Sequence, residues 1–206
     1  MKLAIIGPGA VGQAILKALS GQGHEIWLGT RRPEDPELQA LGAQLASPAQ
    51  AASAAEVVFL AVPWAAAEAA VGDLGDLGDR ILVDCTNPLG MVDGQLGLLL
   101  GHKTSGAEQI AGWATGGRVV KALNQIGAET MGDPAQLPHT PVMFMAGDDD
   151  AAKVAVAKLL VQMGFQAEDA GNLQAARLLE PFAMVWINQA ILRGKGRSWG
   201  FAAVSV

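Results

Sequence analysis

The sequence predicts an α/β fold of the doubly wound Rossmann type, with a mostly parallel sheet and a small C-terminal α/β region. Three observations carry this expectation. Short runs rich in Val and Ile alternate with Ala- and Leu-rich helical patterns, as βαβ units require. The first apolar run leads directly into Gly7-Pro8-Gly9-Ala10-Val11-Gly12, which opens the first helical pattern. The later apolar runs are continuous rather than alternating, as expected of strands covered by helices on both faces.

The elements follow in order. Leu3–Ile6 reads as the first strand, and Ala10–Leu19 as a helix with Val11, Ile15, Leu16 and Leu19 at helical spacing. Glu25–Gly29 is a second strand and Ala43–Ala46 a short third one. Ser47-Pro48 has the form of a helix start, with Ser as N-cap and Pro at the first helical position. Val57–Val62 is an apolar strand ended by Pro63, and an Ala-rich helix follows. Ile81–Cys85 and Val119–Leu123 read as further strands on either side of a helix near Ser105–Ala114. Val142–Ala146, a helix over Ala151–Met163, a short strand near Phe165–Ala167 and a last helix from about Leu173 to Leu192 complete the chain. The stretch from Gly127 to Pro141 contains Gly132, Pro134 and Pro138, and breaks the regular alternation. It divides the sequence into a dinucleotide-binding region, 1–138, and a smaller α/β region, 139–206, expected to close the substrate cleft.

Composition narrows the function. Half of the 206 residues are hydrophobic and 17% are charged, enough to build a core. A net charge of -6 argues against a general nucleic-acid binder, which needs a basic face. An acidic protein that binds an anionic cofactor must use local devices such as helix N-termini and a few placed arginines. The single cysteine, Cys85, excludes an intramolecular disulfide and reads as a small apolar strand residue. The opening apolar run is too short for a signal peptide, and no apolar run is long enough to span a bilayer. A cytoplasmic protein with no membrane or nucleic-acid partner is the expectation. The three carboxylates Asp148, Asp149 and Asp150 read as a helix cap rather than a metal site, and no metal is expected.

The glycine motif predicts a dinucleotide site. Gly7 permits a tight turn, Gly9 lets a pyrophosphate approach the backbone, and Gly12 lets the helix pack close to the sheet. The end of the second strand then selects the cofactor. A site for NAD places Asp or Glu there to bond the ribose 2′-hydroxyl. This sequence has Gly29-Thr30-Arg31-Arg32 instead. A hydroxyl and two guanidinium groups favour a 2′-phosphate, so NADP(H) is expected, with Thr30, Arg31 and Arg32 around it.

Ligands of open parallel sheets lie beyond the carboxyl ends of the strands. Ala61-Val62-Pro63, Asn87 and Asn124-Gln125 occupy those positions. Val62 and Pro63 can pack on the ribose or pyrophosphate side. Asn87, Asn124 and Gln125 are amides where a nicotinamide would need partners, although a turn or capping role explains Asn87 before Pro88 equally well. The chain has no Tyr, which excludes the proton donor of short-chain dehydrogenases. Lys121 and Asn124 lie three residues apart, and strand alternation would point them to opposite faces. No catalytic acid or base is expected. Hydride transfer between two cofactor-like rings suits such a site, since it needs mainly two rings held face to face. The basic, glycine-rich segment around Arg193, Lys195 and Arg197 either meets an anionic substrate tail or forms a solvated helix end.

The glycine loop, His24-Glu25-Ile26 leading to Gly29-Thr30-Arg31-Arg32, Val62-Pro63-Trp64, Gly147-Asp148-Asp149-Asp150, and Asp169-Ala170-Gly171 followed by Ala176-Arg177-Leu178-Leu179-Glu180 occur in that order. In this the chain resembles, over essentially its full length, the NADPH-dependent F-420 reductases, also called F-420-dependent NADP oxidoreductases. It also resembles the related NADPH-binding domains of STEAP-type ferric reductases. The resemblance implies hydride transfer between NADP(H) and a 5-deazaflavin, coenzyme F-420 or a flavin-like acceptor, stacked near the nicotinamide. It also implies that the loop after Val62-Pro63 and the segment Asn124–Ile126 border the rings. An imine or hydroxyacid reductase and a non-catalytic NADPH sensor are the alternatives. The apolar last helix suggests a homodimer.

Overall fold

The computed structural model describes residues 1–204. Strand β1 (Lys2–Ile6) feeds helix α1 (Ala10–Leu19), followed by β2 (Glu25–Gly29), a one-turn α2 (Pro36–Gln39), β3 (Gln44–Ala46), α3 (Pro48–Ala54) and β4 (Val57–Leu60). A 3-10 turn over Trp64–Ala66 leads to α4 (Ala67–Gly72) and β5 (Ile81–Asp84). The hairpin β6 (Leu89–Val92) and β7 (Gln95–Leu98) precedes α5 (Gly106–Trp113), β8 (Arg118–Lys121) and a short α6 (Ala128–Met131). The chain continues through β9 (Val142–Gly147), α7 (Asp150–Gln162), β10 (Gln166–Asp169) and α8 (Ala176–Ile187).

One eight-stranded sheet runs in the order β10-β9-β8-β5-β4-β1-β2-β3. All its neighbours are parallel except β8 and β9, so this is the doubly wound, mostly parallel α/β fold. The strands of the 139–206 region extend this same sheet beyond β8. Successive strand residues serve opposite faces. Leu3, Ile5, Phe59 and Val83 pack with α1 and α7, whereas Ala4, Val58, Leu60 and Leu82 pack with α3, α4 and α5. Both faces are therefore buried, which accounts for the continuous apolar runs.

The caps are local. Ser47 and Gln50 form a reciprocal capping box at α3, with Pro48 at the first position. Ser105 caps α5 and Asp149 caps α7.

Three features depart from the sequence reading. The β6–β7 hairpin lies where no strand is expected. Its turn residues Asp93 and Gly94 have φ of 50° and 79°, the paired left-handed geometry that Asp-Gly accommodates. The last helix is three pieces: a 3-10 turn (Leu173–Ala175), α8 with Pro181 inside it, and a π-turn over Asn188–Leu192. Strand β8 ends at Lys121, and Leu123 adopts φ of 60°, a conformation uncommon for a branched side chain. The alternation argument that separates Lys121 from Asn124 therefore fails, because the strand ends before Asn124.

No helix among the described residues is long and apolar enough to cross a membrane.

Candidate functional site

The strand order reverses around β1: β2 lies on one side and β4 on the other. The crevice beyond their carboxyl ends is where ligands of open α/β sheets sit. A cleft of about 230 Å³ lies there, lined by Gly7, Pro8 and Gly9 of the first loop, by Thr30 and Arg31 after β2, and by Ala61, Val62 and Pro63 after β4. Ala66, Ala69, Ala70 and Asp73 form its far wall. Its volume is below the roughly 300–1,000 Å³ that encloses a whole drug-sized ligand.

Each glycine of the loop has a distinct role. Gly7 has φ of 106°, and a Cβ there would lie 2.5 Å from the Ala61 carbonyl oxygen, so only glycine lets β1 turn against β4. A Cβ on Gly12 would collide with the Gly7 carbonyl, which fixes how closely α1 approaches the loop. A Cβ on Gly9 would meet nothing within 4 Å. The bare backbone there faces open space, and protein packing does not explain its lack of a side chain. Gly9 is also the N-cap of α1, no side chain caps that helix, and no acid lies in its first turn. Its amide groups and positive dipole end remain available to an anion. Ala10, Val11 and Gly12 form this first turn. Ala10 is exposed, Val11 half-buried and Gly12 buried, and none of the three lines the cleft.

The strand end divides the two arginines. Arg32 Nη1 lies 3.0 Å from Asp35 Oδ2 and is outside the cleft lining. Arg31 lines the cleft, and among the described residues it has no carboxylate partner. Thr30 is buried, and its Oγ1 accepts the Arg32 N–H at 3.1 Å. An unpaired guanidinium beside an uncapped helix terminus and an open glycine fits a dinucleotide carrying an additional phosphate.

The predicted amides lie apart from this cleft, at the ends of β5 and β8, and bond to one another. Asn87 Nδ2 donates to the Asn124 carbonyl at 2.8 Å, and Asn124 Nδ2 donates to Asn87 Oδ1 at 3.0 Å and to the Leu179 carbonyl at 3.2 Å. Gln125 Nε2 donates to Asn124 Oδ1 and to the Phe144 carbonyl, while its Oε1 accepts the Phe144 N–H. Gln125 thus joins Asn124 to β9 with every amide group engaged. Cys85 is buried, and burial, reinforced by the Asp84 carboxylate, pushes its thiol up, so it is not a nucleophile at neutral pH. Among the described residues, no cluster of three or more His, Cys, Asp or Glu is placed to hold a metal.

Beneath the amides lies a feature the sequence reading misses. The parallel register sets Asp84 of β5 opposite Lys121 of β8. Lys121 is fully buried, and its Nζ lies 2.8 Å from Asp84 Oδ2, 3.1 Å from Glu180 Oε1 and 2.5 Å from the Thr86 carbonyl. Glu180 in turn accepts the Gly106 and Ala107 N–H groups at the start of α5, at 2.9 and 3.1 Å. Burial alone would lower the Lys121 pKa, but the Asp84 and Glu180 carboxylates outweigh it and hold the ammonium above the ordinary lysine value. A signal for this network exists in the sequence: Asp84 and Lys121 each interrupt an otherwise apolar strand, and a charge so placed must find a buried partner.

Comparison with known proteins places this geometry. A family model described as NADP oxidoreductase, coenzyme F420-dependent, matches residues 2–88, the span that carries the glycine loop and the Arg31 strand end. The metalloreductase STEAP3 of Rattus norvegicus is 31% identical over 184 residues, covering 87% of this chain; the chain spans only 36% of that protein. Among solved structures, protein SMa0349 of Sinorhizobium meliloti is 25% identical with a TM-score of 0.74, over 100% of this chain and 94% of that one. A reductive aminase from Aspergillus terreus shares the fold at 22% identity and a TM-score of 0.68, over 94% of this chain and 62% of that one. A protein named as a candidate F420-dependent NADP-reductase from Arthrobacter sp. FB24 is 33% identical, with a TM-score of 0.89 and 100% of both chains covered. With a full-length relative at that identity and the family model resting on the glycine loop, the chain belongs to the F420-dependent NADP oxidoreductase family.

Proposed function

We propose that the protein transfers hydride between NADP(H) and a flat acceptor ring, a deazaflavin such as coenzyme F-420 or a flavin-like molecule. The observation that carries this reading is the cleft itself. Arg31, without a carboxylate partner among the described residues, lines it at one strand end, and the open Gly9 lies at the uncapped start of α1. In this reading Arg31 and Thr30 receive the 2′-phosphate, and Arg32 supports them from outside. The backbone of Gly7–Gly12 receives the pyrophosphate, and Ala61, Val62 and Pro63 flank the ribose side. Asn87, Asn124 and Gln125 form a rigid amide ledge at the nicotinamide end. Bound NADPH supplies a hydride, and the acceptor gains two electrons with a proton drawn from solvent.

The acceptor side draws support from the aromatic cluster next to the amide ledge. Phe144, whose backbone is bonded to Gln125, contacts Phe182, with ring centroids 5.8 Å apart. Phe182 contacts Phe201 at 4.5 Å, and Phe201 contacts Trp199 at 5.2 Å. These half-buried rings offer a flat molecule apolar surface. The Lys195 ammonium, 4.0 Å from the Trp199 ring centroid, and the exposed Arg193 complement an anionic tail. Residues 1–138 hold NADP(H) and residues 139–206 close the acceptor side. The exposed Leu178, Val185 and Ile191 of the last helical segment suit pairing with a second copy of the chain, and a cytoplasmic setting supplies both cofactors.

Mixing the purified protein with NADPH and oxidised F-420 tests the reading. Bleaching of the deazaflavin absorbance supports it. NADPH oxidation only with an imine or carbonyl compound would favour the imine reductase alternative. Binding without turnover of any acceptor would favour a sensor.

A further inference from the structure

We infer that Lys121 is a positioning residue: through Asp84 and Glu180 it fixes the Thr86-Asn87 turn against α8, and so sets the nicotinamide end of the site without touching cofactor. This inference rests on the proposed reading of the cleft.

The argument begins with what the network holds. Thr86 is fixed at both of its backbone groups. Its N–H donates to Asp84 Oδ1 at 2.8 Å, and its carbonyl accepts from Lys121 Nζ at 2.5 Å. The next residue, Asn87, exchanges hydrogen bonds with Asn124, whose side chain also reaches the Leu179 carbonyl of α8. Glu180, adjacent to Leu179, completes the circuit by binding Lys121 and the first turn of α5. Three segments are thus tied together: the turn after β5 and helix α8 bind the ammonium group directly, and the turn after β8 joins them through Asn124. Two of the three lie at the carboxyl ends of central strands, where open sheets bind ligands.

Stability alone does not account for this arrangement. Removing three charged groups from water costs so much that buried ion pairs are often matched or surpassed by apolar residues of the same volume. What the charges supply is a fixed geometry. Two further features of these turns are locally unfavourable. Leu123 lies in the left-handed region at φ of 60°, and the Thr86 hydroxyl is buried without a partner among the described residues. Unfavourable conformations and unsatisfied groups persist where the surroundings over-determine them, and they cluster at functional sites.

The test compares Lys121→Met with the charge-free triple variant Asp84→Asn/Lys121→Met/Glu180→Gln. The single change leaves two buried carboxylates without their cation and is expected to destabilise the fold strongly. The triple change removes every charge, keeps an amide oxygen at position 84 for the Thr86 N–H and leaves one amide oxygen at position 180 to be shared by the Gly106 and Ala107 N–H groups, so it is expected to lose less stability than the single change. Three quantities are measured: the affinity for 2′,5′-ADP, which carries only the adenosine half; the fluorescence of bound NADPH, which reports the nicotinamide surroundings; and kcat with oxidised F-420. For the triple variant the expected result is 2′,5′-ADP affinity within about twofold of the parent. NADPH emission should move towards that of free cofactor, and kcat should fall at least roughly tenfold, as misplaced reacting groups require. A folded triple variant with unchanged emission and kcat would overturn the inference, as would parallel losses in 2′,5′-ADP affinity, emission and kcat. Failure of the parent protein to bind 2′,5′-ADP would instead overturn the reading of the cleft.

Discussion

Arg32 Nη1 lies 3.0 Å from Asp35 Oδ2, and this pairing separates two arginines that the sequence presents as equals. Arg31 keeps its guanidinium for the cleft. Arg31→Ala is expected to weaken NADPH binding roughly 10–100-fold, the loss of a charge-assisted contact worth about 1.5–3 kcal/mol, and to leave NADH binding unchanged. Arg32→Ala, which removes a largely exposed pair, should weaken NADPH by less than about threefold. Calorimetric titration of the two variants checks this, and equal losses would contradict the division of roles.

Gly9 and Gly12 should respond differently to alanine. At Gly9 a methyl group meets no protein atom, and the backbone is already in an ordinary extended conformation. Gly9→Ala is therefore expected to melt within about 4 °C of the parent, since Gly is preferred over Ala at an N-cap by up to about 1 kcal/mol. It should still weaken NADPH about tenfold or more if a pyrophosphate lies against that backbone. Gly12→Ala drives a Cβ into the Gly7 carbonyl and should lower the melting temperature severely. Melting curves with and without NADPH distinguish the two effects.

The Thr86 hydroxyl is buried and has no hydrogen-bond partner among the described residues. Replacement by the isosteric Val removes an unsatisfied polar group and should stabilise the free protein by about 1 kcal/mol. If that hydroxyl serves the nicotinamide carboxamide, the same change raises KM for NADPH. A stabilised variant with unchanged KM would remove Thr86 from the site.

Arg177 donates to both carboxylate oxygens of Glu108, at 2.9 and 2.6 Å, and holds that group below the usual carboxylate range. Folded Glu108 therefore takes up a proton less readily than in the unfolded chain. The stabilisation is fully present above the unfolded value near 4.3 and is lost as pH falls through the lower folded value. Glu108→Gln should melt a few degrees below the parent at pH 7, and the difference should shrink below about pH 4. The pair is about a quarter exposed, which keeps the effect modest. A constant difference across that range would contradict it.

The legible parts of the molecule depend on chemistry confined to a few neighbouring residues. The glycine loop is one such part, because the conformations it needs belong to Gly7, Gly9 and Gly12 themselves. The Ser47-Pro48 cap is another. Asp93-Gly94 is equally local, but the four-residue strands around it are too short to stand out among longer apolar runs. The Lys121 network is of another kind. It requires β8 to lie beside β5 in register, and a helix some sixty residues further on to bring Glu180 back. The separation of Arg31 from Arg32 also depends on folding, since the turn before α2 brings Asp35 to Arg32. The alternation rule misleads at Lys121 and Asn124 because it holds only within a continuous strand, and Leu123 turns the chain between them.

The central claim is that the cleft beyond β1 and β2 reads a phosphate on the adenosine ribose. Its most direct test is calorimetric titration of the purified protein with NADPH and with NADH under identical conditions. The account predicts binding of one NADPH per chain at least about tenfold tighter than NADH, the discrimination that a single charge-assisted phosphate contact supplies. Equal affinities, or no heat with either nucleotide, would contradict it.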